Sequence, residues 1–108
     1  MIRTVLALRP KPGLTGAVVE LFASERIIER ALSVEGCHRV EVWSGADEVL
    51  VMGTWADSGA YQAWLAHPER NASIDALNAL LDQMISANSR GGSYTLALCG
   101  GRLTEDAP

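Results

Sequence analysis

The chain has 108 residues, 48% of them hydrophobic, which suffices for one core and exceeds what a disordered chain carries. Nine Lys+Arg against thirteen Asp+Glu give a net charge of −4, and the basic residues are scattered singly. Because nucleic-acid binding needs a dense basic surface, we expect no nucleic-acid partner. The first apolar run ends at Arg9 and is too short for a signal peptide or a membrane span, which predicts a cytoplasmic protein without membrane contact.

The first third of the chain predicts a strand followed by a helix. Residues Ile2–Leu8 alternate between two faces, and the run stops at Pro10. Thr15 is a candidate cap for a helix whose apolar residues recur at helical spacing as far as residues 34–35. Gly36 is then expected in a left-handed conformation at the end of this helix.

The middle of the chain predicts a hairpin of two antiparallel strands. Cys37–Ser44 is rich in residues that favour strands, the turn lies at residues 45–47, and residues 48–55 run back. The returning strand is apolar on both faces, since Leu50 and Met52 alternate with other apolar residues. Both faces are therefore expected to be covered.

The last part of the chain predicts a second helix and a fourth strand. Residues 57–58 offer a cap, and Pro68 interrupts the helix that follows. A helical pattern restarts at 73–85, and Tyr94–Cys99 forms the last strand. Residues 100–108 are expected to be a flexible tail.

This order of elements predicts an α+β protein with the β-α-β-β-α-β arrangement of a ferredoxin-like fold, in one domain spanning residues 1–99. Helices on one face of a four-stranded antiparallel sheet leave the other face bare, and that face would expose Leu50 and Met52. A second copy packing sheet to sheet is the simplest cover, so we expect a homodimer.

The segment Glu48–Ala72, EVLVMGTWADSGAYQAWLAHPERNA, joins an apolar strand ending in Trp55 to a polar cap and a helix bearing Tyr61. In this it resembles the antibiotic biosynthesis monooxygenase superfamily of dimeric ferredoxin-like α+β barrels, and about residues 2–99 fit that family's element order. The resemblance implies a homodimer with a cleft between sheet and helices in each protomer. It also implies that Trp55 and Tyr61 bind or oxygenate a polycyclic phenol with molecular oxygen and without a cofactor.

Three positions depart from patterns within that superfamily. Val51 stands where an asparagine is expected four residues before the tryptophan. Residues 7–8 lack the asparagine of haem-degrading members, and residues 73–74 lack their haem-ligand histidine. These departures therefore disfavour haem degradation, and the resemblance implies the oxygenase role only in part.

The strongest candidates for a substrate site are aromatic. Gly53 removes a side chain beside Trp55, so a flat ligand could lie against the indole, the alternative being that Trp55 only fills the junction between strand and helix. Tyr61 offers a phenol for hydrogen bonding or proton exchange, or else packs with its hydroxyl at the rim.

The histidines and the remaining predicted wall residues are weaker candidates. His67 could act as a base in a cleft, or could be a surface or capping residue, and His38 is either a substrate contact or a solvent-facing residue on an edge strand. We thus predict Trp55, Tyr61 and His67 as catalytic. The predicted substrate contacts are Val51, Gly53, Trp64, Phe22 and His38.

Metal and cofactor sites have no basis in the sequence. Two histidines and two cysteines, Cys37 and Cys99, form no spaced ligand motif, so we expect no metal and read the cysteines as plain thiols. Gly91-Gly92 precedes a strand, which is the wrong context for a dinucleotide loop.

The prediction is a cofactor-independent monooxygenase for an aromatic polyketide-like phenol, anthrone or quinol. Two alternatives stay open: a non-oxidative polyketide cyclase or isomerase, and a non-catalytic dimer that binds small molecules.

Overall fold

The computed structural model describes residues 1–83 and 91–102 and contains four strands and four helices in these parts of the chain. The chain is an α+β protein with the predicted ferredoxin-like element order, in which each predicted helix is divided into two. The elements are β1 (Ile2–Leu8), α1 (Thr15–Ser24), α2 (Ile27–Leu32), β2 (Cys37–Ser44), β3 (Val49–Trp55), α3 (Ser58–Leu65), α4 (Pro68–Leu80) and β4 (Gly91–Thr95).

The four strands form one antiparallel sheet in the order β2-β3-β1-β4. The central pair, β1 and β3, is in a register that sets Thr4 opposite Gly53 and Leu6 opposite Val51. Alternation then directs these residues to one face, where the sheet meets the helices. The buried core combines sheet and helix residues: Leu8, Val49 and Trp55 from the strands with Val18, Phe22, Trp64 and Leu77 from the helices.

The other face of the sheet is covered by no element among the described residues. Val5 pairs with Met52 and Ala7 with Leu50 on this face, as predicted from the alternation in the third strand. Trp43 on β2 is 57% exposed, which is high for so large an apolar side chain. The sheet therefore presents an open face whose centre is apolar and whose β2 side also carries Arg39 and Glu41.

The prediction of one continuous helix between β1 and β2 is wrong. Arg26 has a φ of +52°, in the left-handed region, and this separates α1 from α2. The bend lets α2 bury Ile27 and Ala31 in the core. Thr15 is also not the cap: it is the first residue of α1, and Leu14 precedes it without a side-chain hydrogen bond.

The second predicted helix breaks at Pro68 as expected, but the following helix begins there and not at Ser73. Proline suits the first position of a helix, because its missing N–H would have no partner there. Of the two predicted caps, Asp57 and not Ser58 caps α3, its carboxylate accepting a hydrogen bond from the backbone N–H of Ala60 at 2.9 Å. The predicted helix end at Ile85 lies outside the described residues, in which α4 ends at Leu80.

Strand β4 lies earlier than predicted, at Gly91–Thr95 instead of Tyr94–Cys99. The pairing gives the reason, since Thr95 already lies opposite Ile2, the first residue of β1. Because β1 begins at Ile2, its ladder with β4 ends at Thr95.

Backbone contacts hold the end of α4 against the end of β1. The N–H of Lys11 donates to the carbonyl of Leu80 at 2.9 Å, and the N–H of Asp82 donates to the carbonyl of Arg9 at 2.8 Å. This fixes the C-terminal end of α4, and its first turns lie along the cavity described below.

Gly36 is left-handed as predicted, with a φ of +90°, although α2 already ends at Leu32. A Cβ at this position would lie 2.8 Å from the Cβ of Ala60 on α3. Its carbonyl also accepts a hydrogen bond from the N–H of Ala56 at 2.7 Å. Gly36 therefore allows α3 to pack closely on the segment that leads into β2.

We expect Gly36→Ala to lower the free energy of unfolding by about 3 kcal/mol, through left-handed strain and a steric overlap with α3. Urea denaturation followed by circular dichroism measures this. Gly16→Ala is the matched control, because nothing lies within 4 Å of the Cβ it would add to α1. Its stability should stay the same or rise by up to about 1 kcal/mol. Equal stability of the two variants would contradict this role of Gly36.

Candidate functional site

A cavity of about 80 Å³ lies between the inner face of the sheet and the helices. Its walls come from β1, β2 and β3 on one side and from all four helices on the other. Most of the side chains that line it are aliphatic or aromatic, and the polar ones are Thr4, Tyr61, Arg70 and Ser73. An apolar cavity with a few converging polar groups is the usual form of a small-molecule site.

Trp55 forms part of the cavity wall from the end of β3. Its side chain is only 2% exposed, and its Nε1 donates a buried hydrogen bond of 3.0 Å to Oγ1 of Thr4. The indole folds back over Gly53, where an added Cβ would come within 2.5 Å of Nε1. The expectation that Gly53 leaves room for a ligand is thus wrong in one respect, because the indole itself fills that space.

Tyr61 of α3 packs against Trp55 from the helix side. The two ring centroids are 5.3 Å apart with planes tilted by 56°, a geometry that favours aromatic contact. Tyr61 is half-buried and lines the cavity together with Trp64 and Leu65, which lie one turn further on the same face of α3. The structure thus brings the two strongest sequence candidates into contact.

Arg70 is the one charged residue among the described residues that line the cavity. Burial lowers the pKa of its guanidinium from the ordinary value, and the charge of the nearby Tyr61 phenol opposes this shift. Within the described parts of the chain it has no carboxylate partner, and its guanidinium makes one hydrogen bond, a long one of 3.5 Å from Nη1 to Oδ1 of Asn71. A half-buried cation thus lies beside a phenol in an apolar cavity.

Arg70 was not among the residues predicted for the site, although the sequence carries a signal for it. Arg70, Ser73, Ile74 and Leu77 have the i, i+3, i+4, i+7 spacing of one helix face, and all four line the cavity. An arginine within an apolar stripe is unusual enough to mark a candidate site. The prediction that this helix starts at Ser73 concealed the pattern, because it left Arg70 outside the helix.

A second arginine helps to hold the start of α4 in place. Arg30 of α2 donates from Nη1 to Oγ of Ser73 at 3.4 Å, and more weakly to the carbonyl of Glu69 at 3.5 Å. Ser73 is 2% exposed, so its hydroxyl needs this partner. Arg30 therefore links α2 to the part of α4 that carries Arg70.

The predicted histidines lie away from the cavity wall. The Nδ1 of His67 accepts a hydrogen bond of 3.1 Å from the N–H of Glu69 and so caps α4, while its ring lies 5.8 Å from that of Trp64. His38 is exposed, at an irregularity in the pairing of β2 with β3. The other predicted contacts, Val51, Gly53, Trp64 and Phe22, do line the cavity.

Among the described residues, the cysteines and acidic residues form no further site. Cys37 and Cys99 are free thiols, and burial raises the pKa of Cys37 despite an opposing hydrogen bond from the Arg39 backbone. Its thiol therefore has little thiolate at neutral pH. Among the described residues, no group of three His, Cys, Asp or Glu side chains could hold a metal ion. No helix within these residues is long and apolar enough to cross a membrane.

The comparison with protein families agrees with this architecture. The family model described as antibiotic biosynthesis monooxygenase matches residues 1–76, which include β1 to β3, α3 and most of α4. The chain therefore belongs to the antibiotic biosynthesis monooxygenase family, which confirms the resemblance noted in the sequence. No protein of curated function is similar enough in sequence to count as a relative.

Solved structures share the fold at low sequence identity. SnoaB, a cofactor-independent oxygenase from Streptomyces nogalater, is 19% identical with a TM-score of 0.71, covering 91% of this chain and 94% of its own. Rv0793 from Mycobacterium tuberculosis is 13% identical with a TM-score of 0.72, covering 93% and 98%. A conserved protein from Methanosarcina mazei Go1 is 22% identical with a TM-score of 0.71, covering 86% and 89%. At these identities the likeness shows a common fold.

Proposed function

We propose that the protein is a cofactor-independent oxygenase that binds an ionisable phenol, anthrone or quinol in the cavity between sheet and helices. The observation that supports this most is the position of Arg70, a cation that has no carboxylate partner among the described residues and lies beside Tyr61 in a mostly apolar cavity. An arrangement of this kind favours a ligand with an aromatic body and one negatively charged oxygen. Family membership and the likeness to SnoaB, named as a cofactor-independent oxygenase, agree with it.

The reaction proposed needs no external reductant. A phenol loses its proton to water, and the phenolate passes one electron to O2. The resulting superoxide and phenoxyl radical combine at a ring carbon that is ortho or para to the phenolic oxygen and still bears a hydrogen, and the peroxide formed there takes up a proton. Loss of water then leaves a quinone. One oxygen atom of O2 enters the product. The other leaves as water, together with the two hydrogens that the substrate loses. The substrate thus supplies all four electrons that reduce O2.

Arg70 has the role of stabilising the substrate anion. Two unit charges about 4 Å apart interact by about 4 kcal/mol at an effective dielectric constant of about 20. Solvent screening at a half-buried group reduces this energy. We therefore expect Arg70 to raise kcat/KM by about 10- to 100-fold. The anion is the form that can give an electron to O2, and water would otherwise compete for its charge.

Tyr61 and Trp55 have the role of holding the reacting ring and the oxygen-derived anion. The Tyr61 hydroxyl interacts electrostatically with Arg70 and would donate a hydrogen bond to the peroxide as it forms. Trp55, already in contact with Tyr61, presents an aromatic edge to the substrate ring. The reaction proposed assigns no step to His67, since its Nδ1 is engaged in capping α4.

We predict enzyme-dependent oxygen uptake with phenols, hydroquinones or anthrones, measured with an oxygen electrode on protein free of metal and flavin. Arg70→Gln should lower kcat/KM by about 10- to 100-fold, because the substrate anion loses its counter-charge. Tyr61→Phe should lower it by about 100-fold, because the peroxide loses a positioned donor.

Two variants serve as matched controls for these substitutions. Arg9→Gln removes an exposed arginine at the end of β1, and Tyr94→Phe removes a tyrosine hydroxyl on the open face of the sheet. Both should leave uptake unchanged. No uptake above the spontaneous rate across the panel would sink the oxygenase proposal. Binding without uptake would point instead to a cyclase, an isomerase or a binding protein.

The proposed partner of the open sheet face is a second copy of the chain. The face carries Val5, Ala7, Leu50 and Met52 at its centre and the exposed Trp43 on β2. Contiguous apolar surface of this kind favours association. Family membership supports a homodimer formed through this face, with one cavity in each protomer.

We predict that wild-type protein sediments as a dimer at micromolar concentration and that Leu50→Glu raises the dissociation constant at least about 100-fold. The reason is that a carboxylate buried in an apolar interface has no partner for its charge. Ala17→Glu, on the exposed side of α1, is the control and should stay dimeric. A monomeric wild-type protein, or a Leu50→Glu variant as tightly dimeric as wild type, would contradict the proposal.

A further inference from the structure

The size of the cavity limits what the proposed site can hold. The cavity has a volume of about 80 Å³. An engineered apolar cavity of about 150 Å³ is known to hold one benzene molecule. The cavity is therefore too small for a three-ring anthrone unless part of its wall moves, and even a single ring requires small adjustments of the side chains around it.

Trp55 is the part of the wall whose position decides this volume. Its indole lies over Gly53, with distances from an added Cβ of only 2.5 Å to Nε1 and 2.9 Å to Cε2. The register of β1 and β3 sets Thr4 directly opposite Gly53. The indole thus lies along the inner face of the sheet, in the space that a flat ligand would otherwise use.

Thr4 holds the indole in that position. Its Oγ1 accepts the hydrogen bond from Nε1 at 3.0 Å, and both residues are buried. If this acceptor were removed, the indole N–H would be left unsatisfied inside the protein, and burial of an unpaired donor is unfavourable. The indole would then gain by turning toward water, which would enlarge the cavity.

We propose that Thr4 is a specificity-determining positioning residue, which through Trp55 restricts the cavity to single-ring phenols and quinols. The inference rests on the proposed function for the site, and it narrows the substrate class that this site accepts. Gly53 contributes from the opposite strand, since any larger residue there would displace the indole.

Binding measurements under nitrogen test the restriction separately from turnover. Isothermal titration compares 4-nitrophenol, with one ring, and 2-hydroxyanthraquinone, with three, both of which are ionisable phenols. Wild-type protein should bind the single-ring ligand at least about 10-fold more tightly. Thr4→Val should reduce this preference at least about 10-fold by strengthening binding of the three-ring ligand. One factor of ten corresponds to 1.4 kcal/mol.

Conservative and independent variants separate specificity from stability. Thr4→Ser keeps the acceptor and should retain the wild-type preference. Gly53→Ala displaces the indole sterically and should reduce the preference as Thr4→Val does. Gly53→Ala also replaces Thr4→Val as the test if Thr4→Val does not fold. Thr54→Val removes another buried threonine hydroxyl, which lies on the opposite face of the sheet, and should change nothing.

The outcomes distinguish the two proposals. Equal wild-type affinity for both ligands, or a preference unchanged in both Thr4→Val and Gly53→Ala, overturns the restriction and leaves the oxygenase proposal standing. Failure of wild-type protein to bind either ligand overturns the site itself and the inference with it.

Discussion

The pairing of β1 with β3 is the constraint on which the rest of the site depends. It brings Thr4 opposite Gly53, so that the Thr4 hydroxyl and the space left by the missing side chain of Gly53 lie next to each other on the face that meets the helices. Trp55, two residues further along β3, can then fold its indole over Gly53 and donate to Thr4. A shift of one residue in this register would turn all of these groups to the open face. The indole in turn supports Tyr61, so the sheet register also fixes the wall contributed by α3.

Arg70 is the second residue on which the proposed function depends, because burial of its charge lowers the stability of the fold. A guanidinium on the buried stripe of α4 loses hydration, and no carboxylate among the described residues compensates for this. Leucine would pack there at lower cost, so stability alone does not explain the arginine. An anionic ligand would complete the charge balance, which is why the residue supports a function in binding. The two ends of α4 are anchored independently, by Arg30 near its start and by the β1 contacts at its end.

Much of the fold was predictable from the sequence, because alternation and turn residues are local signals. Strand boundaries at Ile2–Leu8 and Cys37–Ser44 matched, and Asp57 was recognised as a cap. The break at Arg26 was not predictable, because a left-handed arginine has no sequence signature and the packing of α2 imposes it. For the candidate site, Trp55 and Tyr61 were both predicted, and the structure brings their rings into contact. The contact of Trp55 with Thr4 joins residues 51 positions apart, and only the pairing of strands reveals it.

The proposed function depends on selection of an aromatic anion by Arg70 in the cavity. A spectrophotometric pH titration of 4-nitrophenol with excess protein measures this selection, because the ionised and neutral forms of this ligand have different absorbance. An apolar cavity alone would raise the pKa of the bound ligand, whereas a nearby cation lowers it. We expect a lower pKa for the bound ligand than for the free one, and loss of that shift in Arg70→Gln. A pKa raised or unchanged on binding to wild-type protein would contradict it.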